Sequence, residues 1–502
     1  MSVRMIIRQI KCKQRDALLA TGLFVVGIVT RIPFTSQVLY HWDSVNFALA
    51  LSKFDVRLHQ PHPPGTFVIY IMLGRFLNWF LRDPNASLVW VSILSSGLAS
   101  ALVFVLGQRW FGKRVGLTSA MLMLSSPLVW FHGEVALSYM LEFVWVVTLV
   151  LLCSDLHAGS EWALFISALF MGFSGGIRPN TPVFLLPLWV FSVRRFPLWK
   201  VVAALAVMAA GVAIWAVPMI EMSGGPIAYW EAFQLWRGAH TEESGSLEGI
   251  FVNGARFAVF ATYALGMSLV PVLLAMPWRL RESPRSLLKD WRLQALVLWI
   301  APAVAYFVFI HVRQSGHIFT VVPALIIIAG FSIIDIAKRW SDDTQSVWIV
   351  LIVLVVAGNG LFFLLGPQNL FGSSRSIFST PTWTAIREHD SDITARLETI
   401  RETFQSEKTV VLAGSRNFRL PDFYLRDFQL TSLSYQLGRD VIVLPEQVRT
   451  LVLFDDSVLL RLPPGSHIHS LPLPKGKSMR YVTWDENQYV ELSQTSLEIR
   501  TR

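Results

Sequence analysis

The sequence predicts a polytopic α-helical membrane protein that carries a small α/β domain at its C-terminal end. Three observations lead there. The 502 residues are 53% hydrophobic and 15% charged, against about 25% charged in an average soluble domain, and the mean hydropathy is +0.49. Apolar runs recur from residue 17 to residue 366. Beyond 367 the composition changes to short alternating segments separated by polar turns.

The N-terminus reads "MSVRMIIRQIKCKQRD", and no small-residue cleavage site follows the next apolar run. The expectation is therefore an uncleaved first span with a basic, cytoplasmic N-terminus. Runs long enough to cross a bilayer predict spans over 17–34, 86–107, 115–131, 138–154, 161–176, 181–193, 200–220, 256–277, 291–311, 316–336 and 346–366. The segment 64–82 is apolar as well, but Arg75, Asn78 and Arg82 fall at helical spacing on one side of it. That pattern suits a helix lying in the membrane interface. Charge agrees. With 64–82 not crossing, "QRWFGKR" (108–114), "RRFPLWK" (194–200), "PWRLRESPRSLLKDWR" (277–292) and "AKRW" (337–340) share a side with the N-terminus, as the positive-inside rule asks. Eleven spans result. The opposite face receives a long first loop (35–85), "HGEVAL" (132–137), "IRPN" (177–180), a loop at 221–255 and "HVRQSG" (311–316).

In the tail, "KTVVLAG" (408–414), "DVIVLP" (440–445), "TLVLF" (450–454) and "QYVEL" (488–492) read as strands, with a helix around 382–405. The division is thus 1–366 for the membrane module and 367–502 for a soluble α/β domain on the outer side. Cys12 and Cys153 exclude a disulfide scaffold and any cysteine metal motif. The net charge of +9 is accounted for by basic cytoplasmic loops facing anionic lipid. Outside those loops no basic, aromatic-interleaved run points to nucleic acid. No Walker loop, GxGxxG or GxSxG is present, so nucleotide-driven chemistry has no motif to rest on.

The first outer loop, "YHWDSVNFALALSKFDVRLHQPHPPG", is the densest candidate site. Asp43 fits two roles, a general base for a hydroxyl proton and the N-cap of a helix beginning at Ser44. His59 and His62 fit a metal site with Asp43, which zinc would complete only with a further ligand. They fit equally a proline-fixed turn into the interfacial helix, with Pro63-Pro64 at its start. "WFHGEVALSYMLEF" (130–143) puts Glu134 just outside the membrane, Tyr139 at the start of a span and Glu142 within it. An intramembrane acid implies either a polar cavity or a partner on another span, for which Arg178 is the candidate. His311, Arg313 and His317 stand at an outer mouth, where a guanidinium either holds an anionic head group or snorkels to the interface. "SDD" (341–343) and "FDD" (454–456) read as solvated loop acids.

Together these residues resemble the GT-C glycosyltransferases that use a polyprenyl-phosphate sugar, in particular the protein O-mannosyltransferase-like and aminoarabinose-transferase-like bacterial enzymes. The likeness covers roughly 1–366. It rests on the first-loop acid in "HWDSVNF", the His-Pro-Pro of "PHPPG" entering a juxtamembrane helix, "RWFGKR" before a span ending in "SSPLVWFHGE", and the Arg-containing turn of "RQSGHIFTVVPAL". The tail's "FRLPDFYLRDFQL" is similar to an Arg…Tyr-Leu segment of the same group. Two positions depart from the pattern: Ser44 stands where a second acid is common, and "LSYMLEF" where a Pro-Asp is common.

The resemblance implies an inverting sugar transfer at the outer face of a bacterial inner membrane. Asp43 is the implied base. Arg313 is the first candidate for the donor phosphate, with His317 and Arg178 next, and His59, His62, Glu134, Tyr139 and Glu142 line the substrate pocket. The implied partners are a lipid-linked sugar donor, a protein, lipid or glycan acceptor, and membrane lipids, with no cofactor and a divalent metal as the lesser alternative. The competing readings are a flippase or transporter for a lipid-linked anion and a non-catalytic envelope assembly protein on the same fold.

Overall fold

The computed structural model describes residues 3–240, 246–281, 289–366, 381–414, 417, 419–432, 442–455, 467–492 and 497–501. The chain forms two compact units, Met1–Thr35 with Ala50–Ala385, and Ser36–Leu49 with Ile386–Arg502. A short piece of the first outer loop therefore belongs with the C-terminal domain.

The helical unit opens with α1 (Val3–Val29) and reaches α2 (Trp42–Ser52), α3 (Val68–Leu81) and α4 (Pro84–Phe111). Small residues let α1 and α4 approach. A Cβ on Gly27 would stand 2.7 Å from Gly97 Cα, and Ser100 Oγ lies 2.9 Å from the Leu23 carbonyl. Such small-residue contacts replace the hydrophobic drive that lipid does not supply. The run read as one span over 115–131 is instead α5 (Lys113–Ser125) and α6 (Pro127–His132). Pro127 cannot donate into the preceding turn. Ser126 caps the second piece through Val129 N–H at 3.4 Å.

Next come α7 (Tyr139–His157), α8 (Glu161–Ser174), α9 (Asn180–Val193) and α10 (Leu198–Met222). The segment 221–255, expected as a loop, holds α11 (Gly225–His240) and the first turns of α12 (Leu247–Leu265). Gly266, at φ +53°, separates α12 from α13 (Leu269–Arg281), and Asn359 Oδ1 takes the freed Met267 N–H at 2.7 Å. The unit continues with α14 (Trp291–Phe309), α15 (Val322–Trp340) and α16 (Thr344–Leu365). The helix read over 316–336 starts at Val322, because Ser315–Thr320 form a 3-10 turn ahead of Pro323.

Seven helical segments among the described residues are long and apolar enough to cross a membrane: Gln14–Phe34, Pro84–Phe111, Tyr139–His157, Leu198–Met222, Leu247–Arg279, Trp291–Phe309 and Thr344–Leu365. Glu161–Ser174 and Asn180–Val193 are apolar but have 14 residues each, and about 20 are needed for a bilayer core.

Several of the basic segments lie at one end of the helical unit. Arg109 pairs with Asp155 at 3.1 Å, His157 stacks on Trp291 at 4.5 Å, and Arg195 donates to the His157 carbonyl at 3.0 Å. The basic segments expected on one side thus meet one another. At the other end the segments around 132–142, 178–181 and 311–320 converge, as described below.

The helix expected over 64–82 runs only from Val68 to Leu81, so Pro63-Pro64 do not start it. Its Arg75 is engaged by a neighbouring helix. Its guanidinium donates to the Leu51 carbonyl at 2.9 Å and the Ala50 carbonyl at 2.9 Å, closing the C-terminal end of α2. The exposed residues of α3 include Phe76, Trp79 and Phe80, which form an apolar surface.

The second unit contains α17 (Trp383–Thr403), most of which lies beyond the unit boundary, and α18 (Arg419–Tyr424). Its strands are β1 (Thr409–Ala413), β2 (Gln429–Ser432), β3 (Ile442–Val443), β4 (Thr450–Leu453), β5 (His467–Pro472), β6 (Ser478–Thr483), β7 (Gln488–Leu492) and β8 (Leu497–Thr501). A five-stranded sheet runs β2-β1-β4-β6-β5 and a three-stranded sheet β3-β7-β8. β1 is parallel to both β2 and β4, and its five residues are all buried. Val410, Leu412, Leu451, Leu453, Trp484 and Val490 share one core. Residues 440–441 of the strand expected at 440–445, and Asp456 of "FDD", lie outside the described residues.

Candidate functional site

Asp43 sits in the first turn of α2, 6% exposed. It is not the N-cap. The first i→i−4 bond runs from Val45 N–H to the His41 carbonyl at 3.1 Å, and the Asp43 amide stands 3.1 Å from His41 Nδ1. His41 therefore caps the helix, leaving the Asp43 carboxylate without that duty. The same Nδ1 lies 3.3 Å from Asp43 Oδ2. A neutral ring protonated on Nε2 accepts from the amide; with the proton on Nδ1 it donates to the carboxylate.

The segment before α2 is tied down within its own unit. Gln37 N–H donates to Asp390 Oδ2 at 2.7 Å and Leu39 N–H to the Tyr424 hydroxyl at 3.0 Å. Ser36 Oγ stands 2.8 Å from Asp390 Oδ1. Burial, and then the charge of Asp390, push the Tyr40 hydroxyl above the ordinary tyrosine range, so Tyr40 stays protonated.

In the helical unit a second polar set forms where three segments meet. Glu142 Oε1 accepts from Thr320 Oγ1 at 2.7 Å and Thr181 Oγ1 at 2.9 Å. Its Oε2 stands 3.4 Å from Arg178 Nε, with the two side chains 2% and 13% exposed. The Arg178 guanidinium lies 4.6 Å from the centre of the Tyr139 ring, and the Tyr139 hydroxyl donates to Gln314 Oε1 at 2.6 Å. His132 Nε2 and Ser315 Oγ are 3.3 Å apart. Of the two roles open to Glu142, the partner on another segment is present.

Glu134, expected outside the membrane, is fully buried. Its opposite charge is Arg31, which donates to the Leu124 carbonyl at 2.8 Å and stands 4.9 Å from the Trp130 ring centre. Arg313 is exposed, and the rings of His311 and His317 are 5.5 Å apart.

"HQPHPPG" is a folded turn, and its geometry is set by neighbours. Asp55 and Gln60 exchange backbone bonds at 2.7 and 3.1 Å. His59 takes the left-handed conformation at φ 57°. Asp55 accepts from Arg57 Nε at 2.9 Å and Nη2 at 2.7 Å, and this guanidinium holds the Asp55 carboxyl below the usual carboxylate range. The turn is anchored by Ser223 Oγ, 3.3 Å from Val56 N, and by Tyr229, whose hydroxyl donates to the Pro64 carbonyl at 3.0 Å. The His62 ring packs 5.1 Å from that of Phe67. Among the described residues no group of three or more His, Cys, Asp and Glu side chains converges as a metal ion would require.

The sequence reading omitted His41, Gln314, Thr181, Thr320 and Arg31. His41 had a signal, two residues before the acid; Arg31 had one as a cation closing an apolar run. The threonines had none.

No family model and no curated protein matches the sequence. Solved structures do match. ArnT from Cupriavidus metallidurans bound to undecaprenyl phosphate aligns at TM-score 0.55 and 13% identity, over 93% of this chain and 97% of that one. Its apo state aligns at 0.52 and 13%, over 94% and 98%.

The fold is that of ArnT.

The oligosaccharyltransferase of Archaeoglobus fulgidus with zinc and sulfate is a further match, at TM-score 0.48 and 11% identity over 86% of this chain and 67% of that one. The likeness to ArnT includes most of the C-terminal domain, where "FRLPDFYLRDFQL" lies, as well as the helical part.

Proposed function

We propose that the protein is a membrane glycosyltransferase that moves a sugar from a polyprenyl-phosphate donor to an acceptor hydroxyl at the outer face of the membrane. The observation that carries this reading is the GT-C fold shared with undecaprenyl-phosphate-bound ArnT over nearly the whole of both chains. Fold alone does not assign chemistry; the residues supply it.

Asp43 takes the proton of the acceptor hydroxyl. The oxygen forms its bond to the anomeric carbon as the bond from that carbon to the phosphate oxygen breaks, and the electron pair leaves with the polyprenyl phosphate. One displacement inverts the anomeric centre. Arg313 and His317 hold the departing phosphate by charge-assisted bonds. Arg178, already engaged by Glu142, shapes the pocket with Tyr139 and adds positive field. His59 and His62 contact sugar or phosphate from the turn, and Glu134 balances the charge of Arg31. A phosphate leaving group carries its charge well, so positioning and fixed dipoles suffice.

The test is mass spectrometry of lipid-linked sugars in cells lacking the protein, with the leaflet of any accumulated species determined by its access to an impermeant reagent. One polyprenyl-phosphate sugar building up in the outer leaflet is the expected result. Its accumulation in the inner leaflet marks a flippase instead, and no change in any lipid-linked sugar overturns the transferase reading.

A further inference from the structure

The stretch of chain that leads to Asp43 is attached to residues more than 340 positions later in the sequence. Ser36–Leu49 belongs to the same compact unit as Ile386–Arg502, and the attachments are specific. Asp390, on α17, accepts the Gln37 amide at 2.7 Å and faces Ser36 Oγ at 2.8 Å. That hydroxyl also lies 2.6 Å from the Val38 carbonyl, so its single proton serves one or the other. Tyr424, at the end of α18, accepts the Leu39 amide at 3.0 Å. The rings of Tyr40 and His389 are 4.5 Å apart. Four of the five residues before the His41 cap, Ser36, Gln37, Leu39 and Tyr40, are thus contacted by three residues of the C-terminal domain. Asp390 is nearly buried, with its side chain 13% exposed. Tyr424 is itself fixed, since Arg401 donates to its carbonyl at 2.6 Å.

We propose that Asp390 and Tyr424 are positioning residues for Asp43, so that the C-terminal domain is part of the catalytic apparatus. This rests on the reading of Asp43 as the base. An extended loop segment has no internal ladder to fix it, and a catalytic group displaced by about 1 Å loses on the order of 10²-fold in rate. A clamp of two backbone amides and one hydroxyl supplies what the segment lacks. It touches no substrate, so its loss acts on turnover and not on donor affinity.

The experiment compares Asp390→Ala, Asp390→Asn and Tyr424→Phe with wild type and Asp43→Asn. It measures kcat and donor KM, and amide hydrogen exchange over residues 36–49, in protein shown by thermal unfolding to be folded. Asp390→Ala is expected to lower kcat about 10- to 100-fold at unchanged donor KM. Asp390→Asn, which keeps one acceptor oxygen, restores part of that loss. Tyr424→Phe lowers kcat by less and deprotects the Leu39 amide, while the β1 and β4 amides keep their protection. If Asp43→Asn is inactive but Asp390→Ala keeps kcat within twofold of wild type, the clamp proposal is overturned. If wild type transfers no sugar, or Asp43→Asn remains active, the transferase reading fails. The clamp is then decided by exchange alone: unchanged Leu39 protection in Tyr424→Phe overturns it, and deprotection upholds the attachment.

Discussion

His41 Nδ1 stands 3.3 Å from Asp43 Oδ2 and 3.1 Å from the Asp43 amide nitrogen. One ring nitrogen therefore reads both the start of α2 and the state of its first acid. With the ring proton on Nε2 it caps the helix, and with the proton on Nδ1 it steadies the carboxylate. Replacing His41 by Ala removes both functions. The expected outcome is a loss of about 1 kcal/mol of stability, typical of an N-cap, and a fall in kcat of tenfold or more from a base left unoriented. Thermal unfolding and steady-state turnover of the same preparation check the two parts separately.

Glu142 and Arg178 form a pair that water barely reaches, and each is costly to leave alone. Removing one partner of such a buried pair typically costs about 3–5 kcal/mol. Arg178→Met and Glu142→Gln should each lower the melting temperature in detergent, and the double variant should lose less than the sum. Additive losses would show that the two side chains are not coupled, and that Arg178 is available to a phosphate without reference to Glu142.

Arg75 closes the far end of α2 through the Ala50 and Leu51 carbonyls. Arg75→Met leaves both acceptors without that donor, an expected cost of about 1–3 kcal/mol. Amide exchange over the last turn of α2 should speed up, while the α4 amides beyond residue 88 keep their protection. Unchanged exchange in α2 would return Arg75 to the interfacial role its helical spacing suggested.

The Asp55–Arg57 contact gives the HQPHPPG turn a defined acid limit. Asp55 has a carboxyl pKa depressed in the folded state by Arg57. Its stabilisation is therefore complete above the ordinary aspartate pKa, about 4, and is lost as pH falls through the depressed folded value. Exchange of the Gln60 amide, which bonds the Asp55 carbonyl, should rise only below about pH 4 in wild type. Asp55→Asn should show the faster exchange already at neutral pH.

Much of the architecture was legible because it follows from patterns one residue type controls. Apolar runs marked the helices, and several of the basic segments grouped by charge meet one another in the helical unit. The breaks were harder. Ser126–Pro127 and Gly266 interrupt apolar runs without making them less apolar, so hydropathy passes over them. Arg75 shows the limit of spacing arguments: its place on a helix face was readable, but its partners were the carbonyls of a helix more than twenty residues earlier in the chain. Asp43 was found from its position after a tryptophan at the end of a span, whereas its cap, His41, and its attachment to Asp390 and Tyr424 depend on long-range packing. Glu142 announced itself as an acid within an apolar run; the hydroxyls of Thr181 and Thr320 that satisfy it carried no sequence signal.

The most direct measurement is transfer from a synthetic polyprenyl-phosphate sugar by purified wild type and by Asp43→Asn, with product followed by mass spectrometry and folding by thermal unfolding. The account predicts that wild type converts donor into free polyprenyl phosphate and glycosylated acceptor, and that Asp43→Asn, folded and still binding donor, loses at least about 10²-fold in kcat, as expected when a positioned base is removed. Near-normal turnover by folded Asp43→Asn would contradict it.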